Sequence, residues 1–113
     1  MSKASRDKGA RREREALREL SDCLGEHYPP LKRNLQQTRE GGADCIDLPG
    51  FSVEVKGVER FQSAWFNQAA EQAGEGQLPA VMWKQSRKPW RVFVEMSVPE
   101  FAEWVRDKSK ADL

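Results

Sequence analysis

The chain has 113 residues, enough for one small domain with one core but too few for two. Hydrophobic residues make up 38% and charged residues 33%, and four Trp with five Phe supply enough apolar volume to exclude a disordered chain. The net charge is +1, no apolar stretch reaches the length of a membrane span, and no export-signal pattern opens the sequence; the expectation is a cytoplasmic protein with no membrane contact.

In chain order, residues 1–6 read as a flexible basic arm. A helix is predicted from Asp7 to Leu24, closed by Gly25 as a left-handed cap. His27 to Pro30 form a loop, Leu31 to Leu35 a short strand, and Gly41-Gly42 a break. Asp44 to Leu48 and Phe51 to Lys56 read as two strands joined at Pro49-Gly50. Phe61 to Ala73 is a predicted helix ending at Gly74. Ala80 to Lys84 and Arg91 to Met96 are two more strands, joined through Gln85 to Trp90. Ser97-Val-Pro-Glu100 reads as a capping box opening a last helix, with Phe101, Trp104 and Val105 as its buried side. The order α-β-β-β-α-β-β-α predicts an α/β domain over residues 1–113, a single mixed sheet flanked by helices.

Cys23 and Cys45 have no paired spacing, which leaves one disulfide or two thiols open; thiols are the commoner state without an export signal. His27 is the only histidine, so zinc fingers and two-His metal sites are excluded. A metal enzyme built from this chain would use carboxylates and a hard ion such as magnesium or manganese. The charges are segregated. Residues 3–18 hold seven basic residues against three acids, residues 84–91 hold four bases and no acid, and residues 40–59 hold five acids against Lys56. Such segregation suits either ordinary solvated faces or a grip on a polyanion around an acidic centre.

Along the strand from Phe51, alternation puts Phe51, Val53 and Val55 on one face and Ser52, Glu54 and Lys56 on the other. Any half-buried strand alternates in this way. What singles this one out is Asp44 across the hairpin, which brings a second carboxylate toward Glu54 with an ammonium alongside. Two such acids repel unless a cation joins them. Register matters here. A two-residue turn at Pro49-Gly50 would put Asp44 opposite Val55, away from Glu54. Pro-Gly favours a type II turn, which suits tight hairpins poorly, so a wider connection or a bulge is expected, shifting the pairing by one. On the first helix, Ala10, Glu13, Leu17, Leu20 and Leu24 form one stripe, while Glu15 and Glu19 lie opposite. A carboxylate within an apolar stripe needs an Arg partner or a metal.

Lys8-Gly-Ala-Arg-Arg-Glu13, Gly42-Ala-Asp44 and Glu54-Val-Lys56, in this order, resemble the PD-(D/E)XK nuclease superfamily. Within it the chain is similar to the archaeal-type Holliday junction resolvases and related small phage endonucleases. Leu78 to Lys84 and Trp90 to Met96 resemble the strands that follow the catalytic core there. The Pro that precedes the first motif acid in the superfamily is Ala43 here. The resemblance implies a restriction-endonuclease-like fold. It implies metal binding by Asp44, Glu54 and the Val55 backbone carbonyl, with Glu13 reaching the metal through water. Lys56 would be the catalytic lysine and Gln68 an accessory polar residue, with magnesium as cofactor and manganese able to substitute.

Lys8, Arg11, Arg12, Arg33, Arg39, Arg87 and Lys88 are the candidate phosphate contacts, singly ordinary surface charges but together suited to backbone-dominated DNA binding. Trp83, Trp90 and Trp104 fit core positions better than base-stacking ones. The expected activity is a magnesium-dependent, structure-specific DNA endonuclease acting on branched DNA in a bacterial or phage-infected cell, as a homodimer because two cuts need two sites. The alternatives are a nicking, repair or restriction-type nuclease of the same fold, or a non-catalytic DNA-binding module.

Overall fold

The protein is described by a computed structural model covering residues 3–35, 44, 45, 47–57 and 60–112. Among these residues the order is α1 (Lys3–Leu24), β1 (Phe51–Lys56), α2 (Ala64–Gln72), β2 (Leu78–Trp83), β3 (Arg91–Val94) and α3 (Val98–Asp112). The architecture is α/β, with a three-stranded mixed sheet in the order β1-β2-β3. β1 runs parallel to β2, which forces the crossover through α2, whereas β3 returns antiparallel after a short turn. No helix among the described residues is long and apolar enough to cross a membrane.

α1 is longer than its sequence period suggests. It begins at Lys3, so most of the expected basic arm is helical. It ends as expected at Gly25, whose φ of 89° frees its amide to meet the Ser21 carbonyl at 3.1 Å. The 31–35 strand does not form. The Leu31 amide donates to the Ser21 hydroxyl at 2.9 Å and the Lys32 amide to the Asp47 carboxylate at 3.0 Å. Side chains thus satisfy donors that a ladder would have used. The 44–48 strand reduces to an antiparallel bridge between Cys45 and Val53. The observed order is therefore α-β-α-β-β-α rather than the eight-element series. α2 starts at Ala64 instead of Phe61, after a turn in which the Trp65 amide donates to the Gln62 carbonyl. β2 starts earlier than expected, at Leu78, and β3 stops earlier, at Val94.

The two sheet faces bury different things. On the α1 face, Ala16 and Leu17 pack on Val53, Val55, Ala80, Met82 and Cys45, with Leu20, Leu31, Leu48, Phe51 and Trp90 at the margin. On the α2 face, Trp65 packs on Val81 and Trp83 with Phe61, Phe66 and Phe93. Phe61 lies 5.3 Å from the Trp83 ring and 4.8 Å from that of Phe93. Arg91 closes this layer, its guanidinium 4.5 Å over the Trp83 ring. Trp83 is thus core, as its pattern suggests.

α3 departs from expectation. Its capping box forms, with the Ser97 amide donating to the Glu100 carboxylate at 2.9 Å and the Glu100 amide to the Ser97 hydroxyl at 3.2 Å. Its apolar side is not buried: Phe101 is 52% exposed, Trp104 48% and Val105 41%. Periodicity marks an apolar face without saying what covers it, and among the described residues nothing does.

Leu17, at 1% exposure, is the largest fully buried side chain among the described residues and joins α1 to β1 and β2. Leu17→Ala should cost about 2–5 kcal/mol, measured by urea unfolding. A loss below about 1 kcal/mol would mean that α1 does not carry this core.

Candidate active site

The site begins with one carbonyl. Val53 O accepts from the amides of both Asp44, at 2.9 Å, and Cys45, at 3.3 Å. Two successive amides on one carbonyl, with Cys45 bridged to Val53, mark a β-bulge at Asp44-Cys45. The Leu48-Pro49-Gly50-Phe51 turn closes with Phe51 N on Leu48 O at 3.3 Å, and Gly50 takes the positive φ, 84°, that a type II turn requires. Cys45 pairs with Val53 where a two-residue hairpin would pair it with Glu54, so the register is shifted by one, as expected from the sequence, and Asp44 shares Val53 with Cys45.

The Asp44 carboxylate accepts from the Val55 amide at 2.6 Å, so it lies along the free edge of β1. A strand residue's amide and carbonyl leave by the same edge, and the Val55 carbonyl therefore faces Asp44. Glu54 lies on the α2 face, 1% exposed, with Oε1 buried and without a hydrogen-bond partner. Burial pushes its carboxyl up to about 8. The Asp44 charge, a hydrogen bond shared with Asp44 and the Glu13 charge add to the rise, while Lys56 opposes it. Those influences bring Asp44, Glu54, Lys56 and Glu13 into one electrostatic neighbourhood.

Glu13 sits on the inward stripe of α1, while Glu15 and Glu19 are exposed. Its carboxylate is paired with Arg33 at 2.8 Å. Arg33 is thereby corrected from a phosphate contact to the partner of Glu13. Arg12 is also drawn inward, donating to the Gly57 carbonyl just past Lys56. A side chain at Gly57 would collide with it, so the glycine is needed for this close approach. Gln68 is exposed on α2; Gln72, one turn on, has its Oε1 buried and unpartnered. The buried positions of α2 are Trp65 and Ala69, which leaves Gln68 on the outer side of that stripe. Arg39 lies outside the described residues.

The remaining bases gather at the carboxyl ends of β1 and β2. Lys84 continues β2, its amide donating to the Lys56 carbonyl at 3.1 Å. Lys8, Arg11, Arg12, Lys84, Arg87 and Trp90 line a groove of about 390 Å³, in which Glu15 is the one acidic lining residue. Sequence reasoning counts Lys84 within the basic 84–91 stretch without singling it out as a phosphate contact, and it does not reach Trp90 in this role. The signal that could have found them is position, immediately flanking the basic turn. The Trp90 indole nitrogen is buried and without an acceptor. Arg87 holds a left-handed conformation, φ 64°, at the tip of the turn, and Lys88 is exposed beside it without lining the groove.

Among the described residues no three His, Cys, Asp or Glu side chains form a ready-made metal cage. The Asp44–Glu54 pair nevertheless fits a divalent cation chemically. It is all oxygen, it is buried, Glu54 Oε1 has an unused acceptor position, and the Asp44 charge disfavours ionisation of Glu54. No protein-family model matches the chain, and no curated protein or solved structure matches it either.

The sign of the Glu54 shift fixes a pH dependence. Its folded value, about 8, lies above its ordinary 4.5, so the native state keeps a proton that the unfolded chain releases between those values. Stability in chelator should therefore fall from about pH 5 to about pH 8, and Glu54→Gln should remove most of that slope, read as Tm by calorimetry. A wild-type profile as flat as that of the variant would show that Glu54 is not buried in this environment.

Proposed function

We propose that the protein is a metal-dependent DNA endonuclease of restriction-endonuclease-like fold, related to the PD-(D/E)XK nucleases and acting on branched DNA in the manner of a Holliday junction resolvase. The observation that carries this reading is the bulge that sets buried Asp44 against buried Glu54, with Lys56 next along the strand. A solvated strand face has no need of such a register shift.

In this reading Asp44, Glu54 and the Val55 carbonyl hold magnesium or manganese, and Glu13 approaches through water. When bound, the ion supplies neutralisation of the acid pair and polarisation of a phosphodiester. The chain's own residues do the rest. Glu54 gives up its proton, and burial by α2 keeps bulk water from its carboxylate. Lys56 places its ammonium where a nucleophilic water and a phosphate oxygen meet, orienting the one and stabilising charge on the other. The basic groove beside Lys56 and Lys84 takes the flanking backbone, and a phosphate oxygen would satisfy the Trp90 indole. Two symmetric cuts require two such sites, so the working enzyme is a homodimer in the cytoplasm of a bacterial or phage-infected cell.

The deciding experiment incubates labelled linear, flapped and four-way DNA with the protein, with and without magnesium. Magnesium-dependent cutting of the four-way substrate alone supports the resolvase reading. Cutting of linear or flapped DNA supports another nuclease of the same type, and binding without cutting a non-catalytic module.

Asp44→Asn and Glu54→Gln should each lower cleavage by at least about a thousandfold, roughly 4 kcal/mol, while leaving DNA binding intact or stronger. Wild-type cutting by either variant would remove it from the site. Glu13→Gln should impair cleavage far more than Glu15→Gln, since only Glu13 lies on the inward stripe of α1 and its charge acts on Glu54. Equal rates would take α1 out of the active site. Replacing Lys8, Arg11 and Arg87 together by Gln should flatten the slope of log affinity against log salt by about 0.9 for each phosphate no longer neutralised. An unchanged slope would place the DNA backbone elsewhere.

A further inference from the structure

α1 covers the sheet only over β1 and the adjoining part of β2. Beside it the same face is open. Leu20 and Leu24 of α1, Phe51, Met82, and Val92 and Val94 of β3 line a wholly apolar groove of about 240 Å³. Val92 is 52% exposed and Val94 38%, although both point to the same face as the buried Ala80 and Met82. An open apolar trough beside a packed helix has the shape that a second helix fills.

Among the described residues one helix has an uncovered apolar side. Phe101, Trp104 and Val105 of α3 lie on one stripe, the first two rings 6.2 Å apart and stacked. No substantial packing among the described residues joins α3 to the sheet or to the other helices. Its direction is held at the root. The Glu95 amide still donates to the Pro79 carbonyl at 3.0 Å, extending the ladder past β3, and the capping box begins two residues later at Ser97. With the ladder carried to Glu95 and the helix opening at Ser97, α3 projects away from its own groove rather than lying on it, and the molecule is correspondingly elongated, 51 × 30 × 27 Å.

We propose that two copies of the chain exchange α3, the Phe101–Trp104–Val105 face of each helix filling the groove of the other. The occupant is a second copy because the groove is wholly apolar and the uncovered amphipathic helix of this same chain supplies the matching face. It springs from β3, the strand that forms the groove's rim. A two-fold axis near Glu95–Ser97 satisfies both surfaces at once, as helix exchange across a short hinge does. The exchange goes beyond the nuclease reading, and its test needs neither DNA nor metal. A dimer built on another interface would leave that reading standing, whereas a strictly monomeric protein would also remove the homodimer it assumes.

Sedimentation velocity over a concentration series on the full chain is the test. The wild type should have the mass of two chains. Phe101→Ser with Trp104→Ser should weaken association by about tenfold or more, and so should the groove variant Val94→Lys, each with an unchanged far-UV spectrum. Mixing the two variants should restore a two-chain species, because one intact helix then meets one intact groove. A wild type that stays monomeric up to its solubility limit would overturn the exchange in favour of closure on its own groove. A dimer indifferent to both variants, or a mixture that fails to associate when the wild type does, would overturn it in favour of another interface.

Discussion

The carbonyl of Val53 organises the site. By accepting both the Asp44 and Cys45 amides, it adds one residue to that side of the hairpin and turns Asp44 toward Glu54. In the register of a two-residue hairpin Asp44 would lie level with Val55, on the opposite face from Glu54; the Cys45–Val53 pairing departs from that register by one residue. With the bulge in place, Cys45 still fills the α1-side core while Asp44 reaches the edge of β1 and takes the Val55 amide. One hydrogen-bonding anomaly thus reconciles a packed core with a charged site.

The division of the sheet faces explains why Glu54 behaves so differently from an ordinary strand carboxylate. Ser52 and Glu54 project to the α2 side, where Val81, Trp83, Phe61 and Trp65 exclude water. Desolvation is accordingly the largest cause of the raised value, ahead of the Asp44 charge. Lys56, half-buried at the end of the strand, works against it. β1 therefore grades from fully buried at Glu54 to half-buried at Lys56, with the basic groove beginning at its carboxyl end. In an open α/β sheet this end is where ligands gather, because helix and strand termini leave a crevice there.

Much of this is legible in the sequence. Alternation places Glu54 and Lys56, the 3-4 stripe separates Glu13 from Glu15, Gly25 closes α1, and Ser97 with Glu100 opens α3. The Pro-Gly turn argues for the bulge, because its preferred geometry conflicts with a tight hairpin. What sequence does not show are contacts between distant segments. Nothing local pairs Arg33 with Glu13 across 20 residues or lays Arg12 on Gly57 across 45. The 31–35 segment looks like a strand because Leu31 and Leu35 bracket it, yet the Leu31 and Lys32 amides find hydroxyl and carboxylate acceptors, and only the Asn34 amide takes a backbone carbonyl, that of Asp44. Gln68 is exposed, whereas Gln72, one turn on, has a buried side-chain oxygen, a distinction the shared stripe of the two does not make.

The exposed side of α3 has a different cause. A period of 3.6 residues is the same whether the apolar face packs within a chain or between chains, so Phe101 and Trp104 cannot announce which. The core that remains is small for the chain's length. The described buried hydrophobics are eleven, four of them alanine or cysteine and none from α3. Short domains bury a low fraction of their surface, and stability then comes from packing added by other means. The open trough beside α1 and the uncovered stripe of α3 are two halves of such a layer, and within one chain they do not meet. Joining them across a two-fold axis would extend the α1-side core over β3. It would also set two copies of the acid pair at a fixed separation, which independent monomers could not maintain.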